Sequence, residues 1–169
     1  KQVQAYPENA SMYQLLAALW QSKGDDAQSE QYLKQAGKID PGLAGAHFQL
    51  AVIFERGQRF DEAIEAYEQV LDLAPKHAAA ANNLAWLYAE SGKELERAWT
   101  LAEMARNAFP DNPDILDTLG WIYFKNGSGQ RAISLFEKSI EINPNNPIFH
   151  YHLGVVYQDL GNSKEAQPA

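Results

Sequence analysis

The sequence predicts an all-α array of antiparallel helical hairpins, and a 34-residue internal repeat is the main reason. Five prolines recur at intervals of 34, 34, 35 and 34 residues. They are Pro7, Pro41, Pro75, Pro110 and Pro144. Between them, apolar residues return every three or four positions in two successive runs, which is the period of a helix face. A fixed period of this length indicates repeats that bury their apolar faces against their neighbours.

Each repeat is predicted to contain two helices joined by a short turn. The clearest copy covers residues 113–144, where Gly127 and Gly129 separate two apolar stripes. The stripes are Leu116, Leu119, Gly120 and Tyr123, then Ala132, Phe136 and Ile140. Small residues are expected where the paired helices cross closely. They are Ala17, Ala51, Ala85, Gly120 and Gly154 on the first helices, opposite Ser29, Ala63, Ala98, Ala132 and Ala166.

The repeats follow one another along a single solenoid domain, residues 1–169. We expect residues 1–7 to end a preceding repeat, four full repeats at 10–43, 44–77, 78–112 and 113–146, and a truncated repeat at 147–169. One inserted residue near Lys93–Glu96 explains the 35-residue interval. Because the chain begins at Lys1 and both end repeats are incomplete, we expect it to be a piece of a longer protein.

Helix ends are also predicted. A glycine in the left-handed conformation is expected to stop each first helix. These glycines are Gly24, Gly57, Gly92, Gly127 and Gly161. Asn112 and Asn146 are expected to cap the helices that follow, with Pro113 and Pro147 at the first helical position, where the missing N–H has no intrahelical partner.

Composition excludes several classes of function. The chain has 14 basic and 22 acidic residues, a net charge of -8, and no cysteine. The acidic balance opposes binding to phosphate backbones and to anionic membranes, and no apolar run approaches the ~20 residues of a membrane span. We therefore expect no nucleic-acid partner and no membrane insertion. The lack of cysteine leaves cytoplasm and periplasm open.

Catalytic, metal and cofactor sites are not predicted. The segment Gly127–Ala132 matches the glycines of a dinucleotide fingerprint, but a helix precedes it where the fingerprint needs a strand. His150 and His152 are two residues apart, so a helix directs them to nearly opposite sides rather than to one metal ion. We expect no enzyme activity, no metal and no cofactor.

The spacing Leu119-Gly120-x2-Tyr123, then Ala132-x3-Phe136, then Pro144 resembles the tetratricopeptide repeat, as found in bacterial proteins of that family. The resemblance covers nearly the whole chain and implies a right-handed superhelical solenoid that binds proteins. It also implies a concave groove lined by the first helix of each repeat. The predicted groove residues are Phe48, Gln49, Val52, Asn82, Asn83, Trp86, Asp117, Thr118, Trp121, Phe124, Tyr151 and His152.

Aromatic rings interleaved with amides suit a peptide segment or a helix of a partner protein, since rings supply contact area and amides bond a peptide backbone. The alternative is that Trp86, Trp121 and Phe124 belong to the core. Asp114 and Asp117 favour a neutral or basic partner. Some family members bind the acidic tails of chaperones with Lys, Asn, Lys and Arg at four slots. In this chain those slots hold Phe48, Val52, Asp114 and Thr118. An acidic chaperone tail is therefore not an expected partner.

Two further functions stay open at this stage. The chain could be a structural spacer or self-assembling array that associates through its truncated ends, or it could regulate an enzyme in its parent chain. The sequences of the segments Asn82–Glu90 and Leu116–Tyr123 are similar to those of tetratricopeptide proteins of bacterial secretion and exopolysaccharide assembly. That similarity favours the periplasm over the cytoplasm.

Overall fold

The computed structural model describes residues 8–92 and 94–165, with side chains described through Gly161. The predictions for residues 1–7 and for Ala166 lie outside this part of the chain. Within it, the regular elements are all α-helices. They are α1 (Ala10–Ser22), α2 (Asp26–Ile39), α3 (Ala44–Arg56), α4 (Phe60–Leu73), α5 (Ala78–Ser91), α6 (Leu95–Ala108), α7 (Pro113–Lys125), α8 (Gly129–Ile142) and α9 (Pro147–Glu165).

The chain divides into two compact units, Lys1–Ala80 and Ala81–Ala169. The N-terminal unit contains α1 to α4 and the C-terminal unit contains α6 to α9, with α5 beginning at the boundary. Helices α1 and α2, α3 and α4, and α7 and α8 each pack closely as a pair. Successive helices therefore form the hairpins that the repeat predicts.

Side chains cap several helix starts, as the sequence predicts. Asn112 Oδ1 accepts from the backbone N–H groups of Asp114 at 3.0 Å and Ile115 at 3.2 Å. Asn146 Oδ1 accepts from Ile148 N–H at 3.0 Å. Each cap satisfies donors that have no partner within the helix, so Asn112 and Asn146 fix where α7 and α9 begin.

The prediction of a glycine in the left-handed conformation is wrong at two of the five positions, Gly57 and Gly161. Gly24, Gly92 and Gly127 have φ of 77°, 67° and 74°, but Gly57 has φ of -79°. The left-handed position there falls on Gln58, with φ of 57°, because Gln58 is the middle residue of a three-residue turn, as Gly24 and Gly127 are. Gly161 lies inside α9, which continues to Glu165 instead of stopping.

The residue inserted in the third repeat lengthens a helix rather than a turn. Helix α5 has 14 residues, whereas the corresponding α3 and α7 have 13. Three residues separate α5 from α6, as three separate α7 from α8. The insertion is therefore absorbed by helical backbone.

Close helix crossings depend on small residues. A Cβ atom on Gly120 would lie 2.8 Å from Cε1 of Phe136, so α7 and α8 approach as closely as a glycine allows. Ala17, Ser29, Ala63 and Ala98 are fully buried at the corresponding slots. Gly154 is different, because it is exposed and a Cβ there would meet no atom of the described residues within 4 Å.

An ion-pair network fixes the start of α4 in the N-terminal unit. Arg59 donates to Glu30 on α2 at 2.7 Å and to Glu62, and its guanidinium lies 4.3 Å from the ring centroid of Phe54. Partial burial acts to raise the pKa of Glu30, but the hydrogen bonds from Arg59 and Lys34 outweigh it and hold that pKa below its usual range. The network therefore ties α4 to α2 across the turn.

Candidate functional site

Three helices of the C-terminal unit bring five predicted site residues into one aromatic cluster. It consists of Trp86 on α5, Trp121 and Phe124 on α7, and Tyr151 and His152 on α9. The ring centroids of Trp86 and Trp121 are 5.8 Å apart, and the His152 ring lies 4.5 Å from Trp121 and 5.3 Å from Trp86. Such tilted contacts are favourable between aromatic rings. His152 thus lies near the middle of the cluster.

A buried hydrogen-bonded pair, the Asp117 carboxylate and the His152 imidazole, holds His152 in place within this cluster. The Nδ1–H of His152 donates to both carboxylate oxygens of Asp117 at 2.9 Å, and each residue is 5% exposed. Burial raises the pKa of Asp117, and the hydrogen bond from His152 opposes that rise without cancelling it. The pair joins α7 to α9, and the Asp117 carboxylate is occupied by His152 rather than presented to a partner.

Trp121 is mainly a packing residue. It is 8% exposed, and its indole N–H donates to Oε1 of Glu90 on α5. Lys125 lies 3.6 Å from the same carboxylate oxygen and 5.1 Å from the Trp121 ring centroid. This arrangement agrees with the alternative that assigned Trp121 to the core. The contact with Glu90 was not predicted, because the two residues are 31 positions apart in the chain.

The accessible part of the cluster lies in its other rings. Trp86 and Phe124 are partly exposed, and Tyr151 is 67% exposed. These three residues therefore offer aromatic surface that the fold does not use fully. A folded chain seldom leaves several large rings accessible together without a binding role.

The amide residues beside the cluster have an unused acceptor. Asn82 and Asn83 are partly buried, with Nδ2 of Asn82 3.5 Å from Oδ1 of Asn83. The Oδ1 atom of Asn82 is buried and has no hydrogen-bond partner among the described residues. Thr118, by contrast, is buried and donates to the backbone oxygen of Asp114 at 3.0 Å. The Asn82 amide oxygen is therefore an unsatisfied acceptor inside the fold rather than an exposed contact for a partner.

The remaining predicted residues belong to the N-terminal unit. Phe48 is partly exposed, and its ring packs 4.8 Å from His77 and 5.9 Å from Tyr67. Oε1 of Gln49 is buried without a hydrogen-bond partner in the described residues, and Val52 is partly exposed. These residues form a second, smaller group with one ring and one unused amide oxygen.

The two histidines that resembled a metal pair do point to different surroundings. His150 is exposed and its Nε2–H donates to the carbonyl oxygen of Pro144 at 2.8 Å, while His152 is buried against Asp117. The described residues contain no group of three or more His, Asp or Glu side chains arranged to hold a metal ion. In the same part of the chain, no helix combines the length and apolar character needed to cross a bilayer.

Comparison with known proteins decides the family. Two family models match, one described as a tetratricopeptide repeat over residues 55–122 and one described as a TPR repeat over residues 120–161. The chain belongs to the tetratricopeptide repeat family. The predicted fold class, an all-α solenoid of helical hairpins, is confirmed, and members of this family serve as scaffolds that bind proteins or peptides.

Several relatives share this repeat with the chain. The type IV pilus assembly protein PilF of Pseudomonas aeruginosa is 29% identical over 126 residues, which is 74% of this chain and 50% of PilF. The human protein O-mannosyl-transferase TMTC3 is 26% identical over 171 residues, covering 89% of this chain and 19% of TMTC3. The chain therefore spans half the length of PilF and about a fifth of TMTC3.

Solved structures give the same fold. A structure of MamA from Desulfovibrio magneticus that begins at residue 41 superposes with a TM-score of 0.78 over 93% of this chain and 88% of the MamA chain in that structure, at 19% identity. The structure of Pseudomonas aeruginosa PilF has a TM-score of 0.72 over 90% of this chain and 69% of the PilF chain in that structure, at 26% identity. The likeness to MamA shows the fold only.

Proposed function

We propose that this tetratricopeptide repeat protein binds a peptide segment or helix of a partner protein against its first helices, and that the aromatic cluster of the C-terminal unit is the main contact. The observation that carries the proposal is the joint presence of Trp86, Phe124 and Tyr151 in one cluster, all at least partly exposed. Rigid aromatic side chains dominate the binding energy at protein interfaces.

The nature of the ligand follows from the charges around this surface. Asp117 is engaged by His152, and Glu90 receives the Trp121 indole N–H and lies near Lys125. Exposed Asp114 keeps its carboxylate close to the start of α7. A neutral or basic segment therefore fits this surface better than an acidic one, because like charges across an interface weaken binding.

The similarity to PilF supports a role in a bacterial secretion or surface-assembly system, and such a role is part of the proposal. A protein in that setting would hold a partner without transforming it. Catalysis is not proposed, because the described site contains packed aromatic rings and a buried, mutually bonded acid and imidazole rather than a nucleophile beside a base.

A peptide library displayed on phage tests the proposal directly. Peptides selected on the wild-type chain should lose at least tenfold in affinity for Trp86→Ala and Tyr151→Ala, the usual loss when an interface anchor is truncated. Phe109→Ala is the matched control, since Phe109 is an exposed ring outside the cluster. Selected peptides that bind both cluster variants as tightly as the wild type would contradict the assignment.

The alternative function, a self-assembling array, also has an observation in its favour. Helix α9 exposes Ile148, Tyr151 and Tyr157, and no atom of the described side chains lies within 4 Å of the Cβ positions of Gly154 and Gly161. An apolar helix surface of this kind is able to pack against a second copy of the chain. Concentration-dependent association would support this second role, which does not exclude peptide binding.

A further inference from the structure

A separate cleft crosses the C-terminal unit between α6 and α8, with α7 as its floor. Two adjoining cavities of about 530 Å³ and about 440 Å³ form it, and both are lined by Tyr123 and Arg131. No residue of the aromatic cluster lines either cavity. This outer cleft is therefore distinct from the surface to which peptide binding was assigned above.

One end of the outer cleft is apolar and aromatic. Trp99 on α6 is 44% exposed, and its indole Nε1 lies 3.4 Å from the hydroxyl oxygen of Tyr123. Leu95 and Ile122 complete this end. Burying an indole ring more fully would be favourable, and exposed tryptophan in a concave site is typical of an interface anchor. This end suits an aromatic or large aliphatic side chain.

The other end carries positive charge. The guanidinium of Arg131 lies 5.7 Å from the Tyr123 ring centroid, and Arg131 makes no ion pair with any described carboxylate. Arg106 lines the second cavity and pairs with Glu103 on its own helix, at 3.3 Å. Glu96 is the single acid among the described lining residues, and it belongs to the first cavity. Two arginines thus line the second cavity, in a chain whose net charge is -8.

We propose that the outer cleft is a second docking surface, which binds an acidic peptide segment with an aromatic or large aliphatic side chain next to a carboxylate. The carboxylate bonds to Arg131, whose guanidinium is suited to two parallel hydrogen bonds, and the apolar side chain packs on Trp99 and Tyr123. A peptide fits better than single-stranded nucleic acid, because Glu96 and the acidic chain oppose a continuous phosphate backbone.

The four tryptophans of the chain allow a test that separates the two surfaces. In a ¹H–¹⁵N titration of the full chain, the probe is the acetylated, amidated peptide Gly-Asp-Phe-Asp-Gly. We expect it to shift the indole signal of Trp99 and the Nε–H signal of Arg131 while the indole signals of Trp86 and Trp121 stay in place. Trp99→Phe assigns the indole signal.

Variants and control peptides make the test decisive. Arg131→Gln should weaken binding by about tenfold, the effect of losing a charged hydrogen bond, whereas Arg97→Gln, on the same surface helix as Trp99 but outside the cleft, should not. The peptide Gly-Lys-Phe-Lys-Gly should bind at least tenfold more weakly. Circular dichroism checks that each variant keeps its fold.

Three results would overturn the docking surface. They are an unchanged Trp99 signal, equal binding of the lysine peptide, and tighter binding of an oligothymidylate than of the acidic peptide. Shifts at Trp86 and Trp121 without a shift at Trp99 would also reject the outer cleft, while supporting the peptide surface of the first helices. Failure of one proposal can therefore be told from failure of the other.

Discussion

Buried polar residues give the C-terminal unit its most specific contact. Asp117 and His152 occupy neighbouring slots of two successive repeats, and their hydrogen bonds hold α9 at a fixed position on α7. Removing one partner of such a buried pair is costly, about 3 kcal/mol or more, because it leaves the other without compensation. Substitutions that keep the hydrogen bond are therefore the informative ones.

Asp117→Asn should change how stability depends on pH. Because the pKa of Asp117 is raised in the folded state, the unfolded carboxyl ionises first as pH rises above its ordinary value of 3.8. The wild type then loses stability relative to the variant as pH increases through the raised pKa, and the difference levels off above it. Denaturant unfolding of both proteins at several pH values measures this difference.

The stability of the wild type must be compared with that of the variant, because other carboxyl groups change stability with pH in the opposite direction. The pKa of Glu30 is lowered because its hydrogen bonds to Arg59 and Lys34 outweigh its burial. The pKa of Asp111 is lowered by its hydrogen bond to Lys138. Both groups therefore make the folded state more stable as pH rises. They are present in wild type and variant alike and cancel. If the stability of the wild type instead rises relative to that of the variant as pH increases, the hydrogen bond from His152 outweighs the burial of Asp117.

Gln58→Gly should stabilise the N-terminal unit by about 0.5 to 1 kcal/mol. Gln58 adopts a φ of 57°, which a side chain disfavours, and glycine removes that strain at some cost in chain entropy. Gly24→Ala, at the corresponding turn position with φ of 77°, should lower stability instead. Melting temperatures should rise for Gln58→Gly and fall for Gly24→Ala. A lower melting temperature for Gln58→Gly would mean that the Gln58 side chain stabilises the fold by more than its backbone strain destabilises it.

At the scale of helices, equivalent slots differ in what covers them. Gly120 and Gly154 occupy the same position in successive repeats, yet only Gly120 is in close contact with a neighbouring ring. The repeat pattern assigns one role to both, but the packing around each decides whether a larger side chain fits. Substitutions at these two glycines therefore measure how a packed neighbouring side chain changes the effect of an added methyl group on stability.

Gly120→Ala should destabilise the chain by about 1 to 3 kcal/mol, since its Cβ would collide with the buried Phe136. Gly154→Ala should stabilise by about 0.5 to 1 kcal/mol, because alanine favours the helix and meets nothing within 4 Å. Thermal unfolding followed by circular dichroism measures both. Equal effects at the two positions would mean that Gly154 is covered in solution.

The sequence predicted what the repeat itself determines. Hairpins, caps at Asn112 and Asn146, and the close crossing at Gly120 all follow from residue types at repeated positions. The Asp117–His152 contact could not be read from one repeat, because it depends on how neighbouring first helices are aligned. Gly161 was misjudged since a glycine permits a turn without requiring one, and α9 continues through it.

For the molecule as a whole, we expect any association between copies to depend on the surface of α9. Tyr157 is 50% exposed and Tyr151 67% exposed, on either side of Gly154, which is open to solvent. Scattered apolar residues are normal on a protein surface, but rings beside small residues on one helix allow a second helix to approach closely. The net charge of -8 opposes association at low salt and is screened as salt increases.

We therefore predict that the average mass in sedimentation velocity rises with protein concentration, more at high salt than at low salt. Gly154→Arg should keep the chain monomeric, because a long charged side chain blocks the open face and its Cβ meets no described atom within 4 Å. Asn145→Arg, which adds the same charge at an exposed loop position, should associate as the wild type does, apart from the effect of its charge. A wild type that stays monomeric at every concentration and salt level would remove the main support for a self-assembling array and leave peptide binding as the function of the scaffold.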